Sequence, residues 1–294
     1  MPTYDATDLV GARLSAPRRY KNRVATACVW ASVILALAPL ALVIVLVVKN
    51  GLDAMGVEFF TGNIPSTRSA ATGMGPAIVG TLIVTAAATV MAVPLGVLAA
   101  IYLSEYGRDG KVAATVRFLA GVMTGVPSIV MGLFVYTIWV LNFGQSAFAG
   151  ALALACLMLP VVIRSGEEML RLVPDDLRNA SLALGTRKSR MIRTVVVPSA
   201  LPGLTSGSLL AVARAAGETA PLLFTIGAIQ TFNPNLFAGT NTVLPIQIYN
   251  GALSPFEGAH TRAWGAALAL IAIVLVFTFA ARLVTARLST DRHR

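Results

Sequence analysis

The sequence contains few of the residues from which catalytic sites, metal sites and disulfides are built. Its 294 residues include two cysteines and two histidines, and only 12% are Asp, Glu, Lys or Arg. Cys28 and Cys156 each lie in an apolar run without nearby histidines, so we expect free thiols and no metal site. The chain also lacks a phosphate-cradling P-loop, an H-E-x-x-H motif and a G-x-S-x-G motif. We therefore expect no catalytic activity, and any ATP that drives this protein must be hydrolysed by another subunit.

Apolar residues are what the sequence has in excess. Hydrophobic residues make up 56% of the chain, and its mean hydropathy is +0.76. A soluble domain of this length does not have that composition, so we expect an integral membrane protein. The net charge of +10 could suggest a nucleic-acid partner. However, the basic residues are spread over short segments between apolar runs, which indicates membrane orientation and no nucleic acid.

Six apolar runs are each long enough to cross a bilayer as a helix. They cover about residues 25–48, 76–103, 112–141, 147–163, 206–229 and 264–284. The predicted fold is all-α: a polytopic membrane protein with six transmembrane helices in one domain, 25–288, between tails at 1–24 and 289–294. The first run is too long for the core of a cleaved signal peptide, so we interpret it as an anchor. Pro94 and Gly96 predict that the second run is kinked or broken.

The distribution of Lys and Arg predicts how the chain is oriented. The two tails, the 104–111 turn and the 164–199 loop hold nearly all of these residues, whereas the opposite side has only Lys49, Arg68 and Arg262. Because basic loops stay on the cytoplasmic side, both termini are predicted to be cytoplasmic. The expected location is the bacterial plasma (inner) membrane.

The longest polar segment, about 164–202, is predicted to contain a short helix followed by a glycine elbow. A proline and two aspartates suit the start of a helix and Gly185 suits its end, which predicts a helix at about 174–184. A basic amphipathic segment follows the glycine. Two prolines, Pro198 and Pro202, are predicted to end that segment.

This elbow resembles the loop by which permease subunits of bacterial ABC importers dock onto their ATPase. That loop has the consensus E-A-A, three residues, G, nine residues, I, any residue, L-P, and here the glycine and the proline have the matching spacing. Asn in place of Glu and Ser in place of the second Ala remove one charged contact. The resemblance implies docking residues Asn179, Ala180, Ser181, Gly185, Val195, Val197 and Pro198. The alternative is a basic cytoplasmic loop that merely contains a helix.

A second group of polar residues lies inside the predicted fifth span. Arg214 and Glu218 are four residues apart, which places them on one face of a helix, and Thr219 follows. A charge near the middle of a span costs about 2.5–3.5 kcal/mol on insertion scales, so it usually faces a protein interior or a wet cavity. We interpret these three residues as part of an oxyanion path, because a guanidinium offers forked donors to a tetrahedral anion. The alternative is a structural ion pair.

The strings at 103–106, 125–130 and 214–224 are similar to permease subunits of the bacterial inorganic phosphate importer, of PstA type rather than PstC type. The resemblance implies a type I ABC importer permease fold that forms half of a translocation path. It also implies a PstC-type partner permease, an ATPase dimer that binds ATP and magnesium, and an external phosphate-binding protein; this chain itself binds no cofactor. The family's membrane arginines map onto Arg214 and Arg164, although Arg164 at a span end is equally a positive-inside anchor.

The predicted function is therefore the permease subunit of an ATP-driven phosphate importer that works by alternating access. Sulfate, molybdate or phosphonate is the nearest alternative cargo, since an arginine binds any oxyanion. A proton- or sodium-coupled secondary transporter or a channel is an alternative of another class, with Arg214 and Glu218 as its ion path. The docking loop discriminates between the classes, because a secondary transporter does not need one.

Overall fold

The computed structural model describes residues 16–107 and 110–290, and every regular element in these two ranges is helical. Residues 1–15 and 291–294 of the predicted tails lie outside the described residues. The helices are α1 (Ala16–Gly51), α2 (Val57–Thr61), α3 (Gly75–Ile101), α4 (Lys111–Gly125), α5 (Ser128–Val135), α6 (Leu141–Phe143), α7 (Ala147–Arg171), α8 (Asp175–Ala183), α9 (Lys188–Met191), α10 (Val197–Ala216), α11 (Leu222–Thr225), α12 (Leu244–Ala252) and α13 (Glu257–Thr290).

Four short segments continue or connect these helices. One is a 3₁₀ turn at Leu52–Ala54, and three are π-helical, at Tyr102–Tyr106, Tyr136–Val140 and Ile192–Val196. By its contacts the chain divides into two units, residues 1–49 and residues 50–294. The described part of the first unit belongs to α1, and the second unit contains all the other helices.

Five helical stretches within the described ranges are long and apolar enough to cross a membrane. They are Tyr20–Ala54, Gly75–Tyr106, Ala147–Arg171, Lys188–Ala216 and Glu257–Ala280. A sixth crossing requires two stretches together, Lys111–Gly125 and Ser128–Phe143, which are bent by 106° relative to each other. The prediction of six spans agrees with the described part of the chain when this bent pair is counted as one span.

The break in the third span lies at Val126 and Pro127. A residue that precedes a proline is disfavoured in the helical region, and Val126 is extended, with φ −70° and ψ 128°. Pro127 is also non-helical, with ψ 135°, and α5 starts directly after it. The chain therefore turns sharply here, within a string that resembles the phosphate-importer permeases.

The second span, by contrast, is not broken. α3 continues from Gly75 to Ile101 with Pro94 inside it, so the part of the prediction that allowed a break is wrong. Gly96 serves packing instead: a Cβ at this position would lie 2.7 Å from a Val162 methyl carbon on α7. A glycine lets the two helices approach closely, as is common between membrane helices.

The main core of the second unit lies where α3, α7 and α10 meet, with contributions from α11 and α12. Its buried residues are mostly small, which allows the helices to pack closely. They include Ala88 and Ala92 on α3, Ala151 and Ala155 on α7, and Ala211 and Ala215 on α10. The residues that carry the candidate functions therefore lie on a closely packed helical frame.

The predicted fifth span, 206–229, is displaced along the chain. The spanning stretch is Lys188–Ala216, and the helix ends before Gly217. The prediction that Pro198 and Pro202 end the preceding segment is also wrong. Both prolines lie inside the continuous helical stretch Lys188–Ala216, and membrane helices tolerate internal prolines.

The stretch between the predicted fifth and sixth spans, 206–229 and 264–284, contains two helical parts that the sequence analysis did not predict. α12 lies inside it, and α13 begins at Glu257 rather than near residue 264. Arg262, on the first turns of α13, is buried. Its guanidinium donates hydrogen bonds to four backbone carbonyl oxygens of one irregular segment, those of Ser66, Thr67, Ser69 and Ala71, at 2.6–3.3 Å.

Candidate functional site

The predicted docking elbow is present with nearly the predicted bounds. α8 runs from Asp175 to Ala183, directly after Pro174, and its first turn carries two aspartates. Gly185 has φ +78°, a left-handed conformation that favours glycine. A Cβ at Gly185 would meet no other atom within 4 Å among the described residues. The elbow therefore requires glycine for its backbone conformation, while the space beside it is open.

The predicted docking residues on α8 lie at its surface. Asn179 and Ala180 are exposed. Ser181 is half-buried because its hydroxyl lies 2.8 Å from the Thr186 hydroxyl, which closes the elbow. Leu182 and Leu184 are also exposed. The elbow therefore presents both polar and apolar side chains at its surface.

The predicted docking residues after the glycine are placed differently. Val195 belongs to the π-helical segment Ile192–Val196, and Val197 and Pro198 begin α10. All three are half-buried. The π-helical segment and α10 form one continuous stretch, so these residues belong to the start of a span rather than to the elbow.

Arg178 on α8 is a residue that the sequence analysis missed. Its Nη2 donates to Glu105 Oε1 at 2.9 Å and to the Leu170 carbonyl oxygen at 2.8 Å. Its Nη1 donates to the Val173 carbonyl oxygen and, at 3.1 Å, to Asp175 Oδ1. The side chains of Arg178 and Glu105 are only 7% and 3% exposed. At the inner end of a span, Glu105 would be expected to be an interfacial charge beside Arg108. It is instead buried against Arg178, and Arg108 lies outside the described residues.

Arg164 lies inside α7 and not at the end of a span, because α7 continues to Arg171. The start of the predicted loop at residue 164 is therefore wrong. Arg164 is exposed and lines a hollow of about 250 Å³ between α4 and α7, together with Arg117 and Arg171. Glu167 accepts from Arg117 Nε at 2.8 Å and from Arg171 Nη2 at 2.7 Å. The hollow thus combines three guanidinium groups with two carboxylates, Glu167 and Glu168, and two of the guanidinium groups share Glu167.

Arg214 and Glu218 lie at a helix end and not in the middle of a span. Arg214 is in the last turn of α10, and Glu218 follows the helix. Arg214 Nε lies 3.8 Å from Glu218 Oε1, and the two side chains are 75% and 22% exposed. A distance of 3.8 Å permits an ion pair but not a hydrogen bond. Among the described residues, no hydrogen bond engages the Arg214 guanidinium, so its forked N–H groups are available to donate to an external anion.

The segment that carries Glu218 and Thr219 is non-helical backbone packed against other helices. Thr219 is half-buried, and its carbonyl oxygen accepts from the N–H groups of Leu222 and Leu223 at 3.1 and 3.3 Å. A Cβ at Gly132 on α5 would lie 2.5 Å from Pro221 Cα. Irregular backbone between helix ends, supported by protein, is where transporters place ligand groups.

These observations define a helical membrane protein with a broken span, a charged helix end and an exposed glycine elbow. The chain belongs to the family of binding-protein-dependent transport system inner membrane components, whose family model matches residues 92–290. It is accordingly a multi-pass component of the inner membrane.

Individual relatives are more specific. The chain is 45% identical over 278 residues to the phosphate transport system permease protein PstA 1 of Mycobacterium tuberculosis strain H37Rv, covering 92% of this chain and 89% of the relative. It is 42% identical to the phosphate transport system permease protein PstA of Yersinia pestis, covering 92% of each chain. The corresponding PstA of Haemophilus influenzae is 37% identical, with 90% of this chain and 94% of the relative covered.

A solved structure supports the fold independently. An inward-facing form of the MetNI methionine ABC transporter matches with a TM-score of 0.58 over 72% of this chain and 93% of that chain. Sequence identity is 19%, so this likeness concerns the fold alone. It confirms the predicted all-α polytopic fold of an ABC importer permease.

Proposed function

We propose that this chain is the permease subunit of an ATP-driven importer of inorganic phosphate, and that it forms half of the translocation path. The observation that carries the proposal is the likeness to phosphate permeases along 92% of the chain. Relatives that match over nearly their whole length share the arrangement of spans, loops and helix ends. The proposal therefore concerns the whole chain and not one motif.

Arg214 is the residue that we assign to the cargo. Its guanidinium is permanently charged, is mostly exposed and makes no hydrogen bond among the described residues. Such a group can bind two oxygens of a tetrahedral anion at once. Glu218 holds the guanidinium when no anion is present and repels a second anion, and Thr219 lies beside it on the same irregular segment. Arg164, in the hollow between α4 and α7, is the second candidate on the path.

The exposed elbow of α8 and Gly185 is the surface that we assign to the ATPase. A separate ATPase dimer binds ATP and magnesium, and this chain contributes no catalytic group and no cofactor. A PstC-type permease completes the path, and an external phosphate-binding protein delivers the anion. The elbow must then face the cytoplasm, with both termini on the same side, as the distribution of Lys and Arg predicts.

Uptake of radiolabelled phosphate tests the cargo. Cells that lack this chain should lose high-affinity uptake and regain it when the chain is restored, and excess sulfate should not compete. Competition by sulfate, molybdate or a phosphonate at phosphate-like concentrations would indicate the alternative cargo. This assay is needed because a guanidinium alone does not select among oxyanions.

Co-purification tests the class of transporter. An ATPase should be retained with the detergent-extracted chain and should be lost when residues 174–190 are deleted. A chain that carries phosphate without any retained ATPase would instead be an ion-coupled secondary transporter. The deletion removes α8, the elbow and the first residues of the stretch Lys188–Ala216, but it leaves α10 intact.

A further inference from the structure

The docking segment contacts the end of α3 at two separate points. Arg178 of α8 forms the buried ion pair with Glu105, which lies 73 residues earlier in the chain. The ammonium group of Lys188, on α9, lies 5.0 Å from the centre of the Tyr106 ring. Both contacts fall on the π-helical segment Tyr102–Tyr106 that continues α3. The helices on either side of the glycine elbow therefore hold one short segment of a distant span.

Arg178 also holds the end of α7. The carbonyl oxygens of Leu170 and Val173, which lie at and just beyond the end of that helix, accept from the same guanidinium. α3 and α7 are in turn packed closely, since a Cβ at Gly166 on α7 would lie 2.8 Å from the Ala100 Cβ on α3. A single guanidinium thus joins the docking helix to two spans that pack closely together.

We propose that Arg178 and Glu105 are positioning residues that transmit the movement of α8 to α3 and α7. α8 is connected covalently to α7 and, through α9, to α10, but α3 is reached only through space. An apolar contact could hold α8 in place, whereas a guanidinium bonded to several acceptors also fixes its rotation. Replacing a buried ion pair by apolar residues is often neutral for stability, so stability alone does not account for the pair.

This inference rests on the proposed function, because it requires that α8 docks on an ATPase. The test uses the complete complex of permeases and ATPase, reconstituted in proteoliposomes with the external binding protein, inorganic phosphate and ATP. The measured quantity is phosphate transported per ATP hydrolysed. In Glu105→Gln we expect this ratio to fall about fivefold or more, which is the effect of losing a typical coupling free energy between two sites. The ATPase should stay bound and active.

Three further variants make the result decisive. Glu105→Asp keeps a carboxylate and should recover part of the ratio. Asp175→Asn removes the negative charge of the exposed partner of the same guanidinium, 66% exposed, and should lower the ratio less than Glu105→Gln does. Glu105→Leu combined with Arg178→Met replaces the pair by apolar side chains, so it should assemble even if Glu105→Gln does not. The double variant should nevertheless couple poorly.

The possible failures are distinguishable. If the wild-type complex retains no ATPase, the docking assignment fails together with this inference. If Glu105→Gln, or the apolar double variant, retains the ATPase and transports with the wild-type ratio, the pair is only structural. In that case the positioning role is refuted while the docking function stands.

Discussion

Replacing Arg214 by glutamine should abolish transport without preventing assembly. The Arg214 side chain is 75% exposed and 3.8 Å from Glu218, and such a pair contributes only about 0–1 kcal/mol to stability. Two charge-assisted hydrogen bonds to an oxyanion contribute about 3–6 kcal/mol. If these bonds stabilise the rate-limiting state, their loss should slow uptake by about 10²- to 10⁴-fold. Radiolabelled phosphate uptake measures the effect, and the amount of assembled complex in the membrane is measured in parallel.

Other substitutions test whether transport needs the charge of Arg214 or the shape of its guanidinium group. Arg214→Lys should retain part of the activity, because an ammonium group keeps the charge but not the forked contact. Glu218→Gln should be damaging but milder. Arg282→Gln is the matched control: this arginine is also exposed, lies on α13, and should be replaceable without loss of uptake.

The double variant Arg214→Gln/Glu218→Gln can refute this reasoning. If the two residues form only a structural pair, each single change leaves one charge without its partner, and removing both should restore uptake. If Arg214 binds the anion, the double variant should assemble but remain inactive. Restored phosphate uptake would therefore exclude the assigned role of Arg214.

Three shorter predictions follow. Gly185→Asp should leave the chain in the membrane but weaken ATPase retention and uptake, because a side chain in the left-handed backbone conformation costs about 1 kcal/mol. Gly185→Asn should do less harm, since asparagine tolerates that conformation. In a cysteine-free background, cysteines at positions 60 and 253 should react with an impermeant thiol reagent in intact cells, and one at 180 should not. Labelling at 180 would show that the predicted orientation is wrong. Arg262→Met leaves four carbonyl oxygens without their donor, so residues 66–71 should become more sensitive to external protease, and unchanged cleavage would contradict this.

Local features of the sequence predicted local features of the structure. The helix expected at 174–184 is found at Asp175–Ala183, and Gly185 is left-handed as expected. Both depend on residues that are adjacent in the chain, namely a proline, two aspartates and a glycine. The pairing of Arg214 with Glu218 was likewise indicated by their spacing of four residues.

The sequence predictions were wrong where contacts between distant residues, or the membrane, determine the structure. The basic residues around Arg190 predicted an amphipathic segment that ends at Pro198 and Pro202, yet in the described structure the helical stretch passes through both prolines. A π-helical segment precedes Pro198 and shifts the hydrogen bonding, which periodicity does not reveal. The partner of Arg178 is 73 residues away. A charge at the end of an apolar span, such as Glu105, was the only signal that this pair existed.

Arg262 holds the backbone of residues 66–71 through contacts that do not depend on the side chains of those residues. Among the described residues, the hydrogen bonds that the guanidinium donates to this segment all go to backbone carbonyl oxygens, which every amino acid provides. Evolution can therefore exchange the side chains of these residues while the path of the chain is preserved. If the external phosphate-binding protein docks on this segment, the contacting side chains of both proteins can change together while the underlying helices stay the same.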